Sequence, residues 1–142
     1  MRRTIFFLIL IFAMDIIGLY YRWYLSYSWF DQVLHFSGGF FMAMLLSKYL
    51  KDHLLADSKL KNTLIILGVV SFIGITWEFV EYIANLILSP IIYNEFAIKT
   101  YFMGDLNDTI NDLLMDILGA GVFAFILHFI RSRKAHQIQT NL

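Results

Sequence analysis

An all-α, polytopic membrane bundle is the fold class this sequence predicts, and three observations predict it. Of the 142 residues, 59% are hydrophobic and only 15% are charged, against roughly 45–50% apolar and 25% charged in an ordinary soluble domain. The apolar residues gather into four runs, near 4–24, 31–50, 62–88 and 106–130, each close to the ~20 residues that cross a hydrocarbon core. The lysines and arginines fall unevenly about those runs, as topology in a membrane requires. The connections, 25–30, 51–61 and 89–105, are short, so the whole chain, 1–142, reads as one transmembrane domain.

The first run opens on Arg2 and Arg3 and stays apolar from Thr4 to Ile11, like a signal peptide. Asp15 interrupts it and no small-x-small cleavage site follows among residues 20–27, so it reads as a retained helix. Tyr20, Tyr21, Trp23, Tyr24, Tyr27, Trp29 and Phe30 crowd the next connection, as in an interfacial aromatic belt. The second run starts at Asp31. Its Gly39, Ala43 and Ser47 recur every four residues, as do Ala120 and Ala124 in the fourth run, the spacing that lets helix backbones approach in lipid. The third run is read to end at Pro90, whose missing N–H suits a helix terminus. Tyr93, Phe96, Tyr101 and Phe102 repeat the belt there, and residues 91–103 have a sharper reading as a lid over an outward-opening site.

Nine of the eleven basic residues (Arg2, Arg3, Lys48, Lys51, Lys59, Lys61, Arg131, Arg133 and Lys134) share one side, leaving Arg22 and Lys99 opposite. Both termini are therefore expected in the cytoplasm, with the protein multi-pass in the plasma (inner) membrane.

The fourth run carries the chemistry. Asp105, Asp108, Asp112 and Asp116 sit at offsets of three, four and four, which places all four within roughly 80° of one helix face. Asp31 and His35 share a face of the second helix, Glu78 and Glu81 a face of the third, and Asp15 lies midway along the first. Five deep acids (Asp15, Glu78, Glu81, Asp112 and Asp116) would cost on the order of 12–17 kcal/mol if they faced lipid. They must face the bundle interior or a water-filled cavity. Their mutual repulsion is relieved by protonation, by solvating waters and amides, or by a cation.

One imidazole among several carboxylates suits a hard or borderline divalent ion such as Mg²⁺, Mn²⁺ or Zn²⁺. The expected ligands are His35, Asp31, Glu81, Asp108, Asp112 and Asp116. Glu78, Glu81 and Asp112 are the expected catalytic carboxylates, with Asp105 in support. Neither an H-E-x-x-H nor an E-x-x-H motif is present, so a metal-free proton-relay network and purely structural hydrogen bonding stay open for the same residues. Trp77 and Phe79 beside Glu78 read as lipid-facing or core filler. His128 reads as interfacial decoration, and His53 and His136 as solvated. Arg22 has three readings: a partner for Asp31, a partner for an anionic headgroup, or a snorkelling side chain.

Zero net charge argues against a nucleic-acid partner. The absence of cysteine excludes disulfides and thiolate chemistry, and no serine–histidine–acid triad is apparent. The expectation is a metal-dependent hydrolase acting on a lipid or lipid-linked headgroup. Proton- or ion-coupled transport and a non-catalytic scaffold remain alternatives, and a homodimer that completes a cavity stays open.

Three motifs in order, Asp31-x-x-x-His35-Phe36, Trp77-Glu78-Phe79-x-Glu81 and Gly104-Asp105…Asp108-Thr109…Asp112-x-x-x-Asp116-x-x-Gly119-Ala120, resemble the YjdF-like family of small bacterial inner-membrane proteins. They are more distantly similar to the VanZ-like family. In the latter the last motif usually reads Asp-x-x-x-Asn-x-x-Gly, whereas Asp116 stands at the asparagine position here. The usual glutamine after the central glutamate is also missing, which places the YjdF-like branch first. The resemblance spans roughly residues 28–122. It implies a membrane-helical fold and supplies little chemistry.

Overall fold

The computed structural model describes residues 1–54, 58–100 and 102–140, apart from the side chains of 134–136 and 138–140. Tyr101, and the side chains of Lys134 and His136, lie outside the described residues. Four long helices and one short one follow in order: α1 (Arg2–Tyr20), α2 (Trp23–Ser26), α3 (Phe30–Tyr49), α4 (Lys59–Phe96) and α5 (Leu106–Thr140). No strand occurs among the described residues. Three segments, Arg2–Tyr20, Lys59–Phe96 and Leu106–Arg133, are long and apolar enough to cross a membrane. α3 has the length, at 20 residues, but Asp31, Gln32 and His35 dilute its first half.

Burial is inverted relative to a water-soluble protein. Thr4, His35, Ser47, Asn62, Glu78, Thr100, Asp112 and Asp116 are buried, while Phe6, Ile9, Leu60, Phe72, Phe79 and Phe125 are each more than 60% exposed. In lipid this is the favourable arrangement, because the solvent outside is apolar and polar groups must find partners within.

The buried positions follow a four-residue period. On α3 they are His35, Gly39, Ala43 and Ser47; on α4 they are Asn62, Ile66, Val70, Gly74 and Glu78. Residues four apart line one ridge of a helix, and such ridges interdigitate. α3 makes its most extensive contact with α5, also packs on α1 and α4, and so sits at the centre of the bundle. Two glycines allow the α3–α5 approach: Gly39 lies against the backbone of Asp116, and Gly119 against the carbonyl of Phe36, with no room for a Cβ at either. Gly39, Ala43, Ser47, Ala120 and Ala124, which the sequence marks as close-packing positions without naming a partner helix, lie on these two helices. Ala43, Ile66, Val70, Ala120 and Phe123 form the bundle's apolar core.

At one end of the bundle Lys48 Nζ donates to Thr4 Oγ1 at 3.2 Å and Lys59 Nζ to Ser132 Oγ at 3.3 Å, so helix ends that carry basic residues meet. His128 is more than decoration there: its Nε2 lies 2.8 Å from Thr63 Oγ1, tying α4 to α5.

Two expected boundaries are corrected. The first run does not continue to residue 24: α1 stops at Tyr20, Arg22 takes a left-handed backbone (φ 58°), and α2 starts afresh at Trp23. Pro90 does not end α4, which runs on to Phe96 and closes at a left-handed Ala97 (φ 55°). Proline removes one N–H from the ladder, and the bonds beyond it still form, down to Ala97 N to Tyr93 O at 2.9 Å. The chain then turns back and is pinned where Ser89 Oγ donates to the Thr100 carbonyl at 2.8 Å.

Candidate functional site

Three helices deliver the polar cluster, α3 and α5 by residues four apart and α4 by residues three apart. α3 presents Asp31 and His35, α4 presents Glu78 and Glu81, and α5 presents Asp112 and Asp116. Small residues set their spacing. The carboxylate of Asp116 occupies the space a side chain at Gly74 would need, and its backbone fills the equivalent space at Gly39.

His35 is the hub. Its Nε2 lies 3.6 Å from Asp31 Oδ1 and its Nδ1 lies 3.5 Å from Asp116 Oδ2. Two groups of candidate ligand atoms share this ring: Asp31, His35 and Asp112, and His35, Glu78 and Glu81, the atoms of each group lying within 4.8 Å of one another. Asp112 is only 2% exposed and Glu78 6%. Asp112 Oδ1 and Glu78 Oε1 are buried with no hydrogen-bond partner among the described residues. A buried oxygen without a partner is costly, and more so when charged.

Glu81 is held in place by Trp77, whose Nε1 donates to its Oε1 at 2.7 Å. Trp77 is thus neither filler nor purely lipid-facing. The i,i+4 spacing of the pair was readable in the sequence. Tyr24, expected in the aromatic belt, instead directs its hydroxyl to Asp15 Oδ1. Asp15 and Tyr24 line a cavity of about 220 Å³ together with Asp31, His35, Glu81 and Asp116. The rest of that cavity is apolar, bounded by Leu8, Ile11, Phe12, Met42, Val70 and Ile73. It lies where α1 and α4 fail to pack on one another, and Phe12 meets Trp77 edge-to-face across the gap, ring centroids 6.0 Å apart.

Of the expected ligands, Asp31, His35, Glu81 and Asp112 fall into the two groups, and Glu78 joins them. Asp116 belongs to neither group and instead contacts the far nitrogen of His35. Asp108 is half-buried and also in neither, its carboxylate turned toward Gly104. Asp105 is exposed and serves as the N-cap of α5, its Oδ1 accepting from Asn107 N at 2.9 Å and Asp108 N at 3.1 Å. That geometry is the preferred use of aspartate before a helix, and it removes Asp105 from the cluster. The segment 91–103 is not a lid over the cavity: none of its described residues lines it. Residues up to Phe96 stay helical, and the return segment is tied to Ser89.

A family model described as "Predicted membrane protein (DUF2238)" matches residues 1–133. This is the family of the YjdF-like resemblance, and nothing among the comparisons supports the VanZ-like likeness. No curated protein matches the chain. No solved structure matches it either.

Proposed function

The chain belongs to this family of predicted membrane proteins, and from that premise we propose that it is a metal-dependent membrane hydrolase acting on a lipid or lipid-linked headgroup. The observation that carries the reading is the trio of ligand atoms on Asp31, His35 and Asp112 within 4.8 Å of one another, two of which, Asp31 and His35, line the polar end of an apolar-walled cavity. Asp31, Asp112 and Nε2 of His35 would hold a divalent ion there. Asp116 holds Nδ1 and orients the ring, as a carboxylate commonly does behind a metal-bound histidine. When bound, such an ion would supply Lewis-acid polarisation of a phosphoryl or carbonyl oxygen. Glu78, with Oε1 unpartnered among the described residues, would accept the proton of an attacking water. The water oxygen bonds to phosphorus or acyl carbon, the ester oxygen departs, and Glu78 returns the proton to it. The apolar wall accommodates the chain of the amphiphile. Trp77 fixes Glu81 beside the reacting group.

In this reading α1, α3, α4 and α5 all cross the bilayer. The end that joins Thr4, Lys48, Lys59 and Ser132 faces the cytoplasm with both termini, so the cluster lies toward the outer leaflet. Transport is disfavoured because Ala43, Ile66, Val70, Ala120 and Phe123 fill the bundle between the cluster and the basic end.

Elemental analysis of the detergent-purified protein tests the proposal, run beside an Asp112→Asn, His35→Ala double variant. Near-stoichiometric metal in the wild type that is lost in the variant supports it and identifies the ion for lipid-hydrolysis assays. Metal absent from both after reconstitution refutes it and leaves a protonated or hydrated network.

A further inference from the structure

We propose that Arg22 and Lys99 together bind the phosphate of a membrane-lipid headgroup beside the mouth of the acid-lined cavity. For its bearing on substrate this rests on the hydrolase reading, and it makes that substrate a phosphate-bearing amphiphile. These are the two basic residues that the sequence places opposite the other nine. They arrive from distant segments, Arg22 from the α1–α2 junction and Lys99 from the return segment after α4. Even so, they line one crevice with Leu19, Tyr24 and Leu25. Neither forms an ion pair among the described residues, so Arg22 is not the partner of Asp31.

Two cations that line one crevice without a counter-charge repel each other, and a shared anion reverses the sign of that interaction. Arg22 is held for the purpose. It has a left-handed backbone, uncommon for a residue with a Cβ (φ 58°), and its carbonyl accepts from Leu25 N at 3.1 Å and Ser26 Oγ at 3.3 Å. A guanidinium fork fits phosphate oxygens in pairs, and an ammonium adds a point charge. Tyr24 is common to both spaces: it lines the crevice, and its hydroxyl reaches Asp15 in the cavity. A phosphate held at the opening of the crevice is therefore separated from Asp15 by the Tyr24 side chain. Leu19 and Leu25 make the walls apolar, and exposed Tyr20, Tyr21 and Leu25 surround the crevice. Those surroundings favour a headgroup at the interface over a dissolved anion.

The test needs neither metal nor turnover. The protein is reconstituted in phosphatidylcholine bilayers with spin-labelled phosphatidylglycerol or spin-labelled phosphatidylcholine, and the fraction of immobilised label is compared. Wild type should favour phosphatidylglycerol. Arg22→Asn, which keeps a residue tolerant of the left-handed backbone, and Lys99→Gln should each cut that preference about fivefold, the factor equivalent to ~1 kcal/mol per cation. Arg22→Lys should retain part of it. A preference absent in wild type, or unchanged in both neutral variants, overturns the proposal. If millimolar inorganic phosphate displaces the label in wild type, the site takes a soluble anion, which overturns the assignment to lipid. A protein that binds no metal yet passes this test would fail the hydrolase reading and leave the headgroup site standing.

Discussion

The α3–α5 contact makes its sharpest prediction at a single methyl group. Gly39→Ala places a Cβ into the backbone of Asp116, and backbone cannot swing aside as a side chain can. The helices must part along a close-packed seam, and overpacking of this kind costs about 1–3 kcal/mol. Gly68, on the lipid-facing side of α4, has nothing within 4 Å of the same added atom. There Gly→Ala gains only backbone order, about 0.5–1 kcal/mol of stabilisation. The same chemical change should thus have opposite signs at the two sites, separated by roughly 1.5–4 kcal/mol. Reversible unfolding by dodecyl sulfate in mixed micelles, followed by the fluorescence of Trp23, Trp29 and Trp77, measures the difference. Since Asp116 sits against His35 Nδ1, Gly39→Ala should also weaken whatever the cluster binds. Equal stability of the two variants would refute the packing argument and, with it, the assigned interface.

The cluster itself gives further tests. Glu78→Gln should retain metal and abolish lipid hydrolysis with folding intact, whereas parallel loss of expression would make Glu78 structural; activity at wild-type level would remove it as the base. Trp77→Phe deletes the bond to Glu81 and should destabilise by about 1–3 kcal/mol in the same unfolding assay, while Glu81→Gln, which keeps an acceptor oxygen, should cost less. Topology is open to cysteine labelling, since the chain has no cysteine of its own. Asn94→Cys should react with an impermeant maleimide on intact cells, and Asp52→Cys only after permeabilisation. The reverse pattern would invert the orientation.

Features fixed by local periodicity were legible before any coordinates. Asp31 with His35, Glu78 with Glu81, and Asp112 with Asp116 follow from residues three or four apart sharing a face, and the energetic cost of acids in lipid forced them inward. Which of them meet was not legible. Asp108 satisfies the same periodicity as Asp112, yet lies half-buried a turn nearer the helix start, while Asp105 obeys the stronger local rule of capping the free N–H groups of α5. Tyr24 reaches Asp15 only because the backbone at Arg22 turns left-handed and sets α2 off from α1, and no spacing in the sequence announces that turn. Pro90 misled for a related reason. One missing hydrogen bond is a local loss, and a helix with intact bonds on both sides absorbs it.

The pairing of α3 with α5 also bears on biosynthesis. These helices are separated in sequence by the whole of α4, so His35 and Asp31 leave the ribosome long before Asp112 and Asp116 exist. During that interval α3 has α1 and then α4 beside it, but not the helix with which it makes its most extensive contact. Truncation before residue 120 removes the helix that covers the polar ridge of α3 and should expose the truncated protein to membrane quality-control proteolysis.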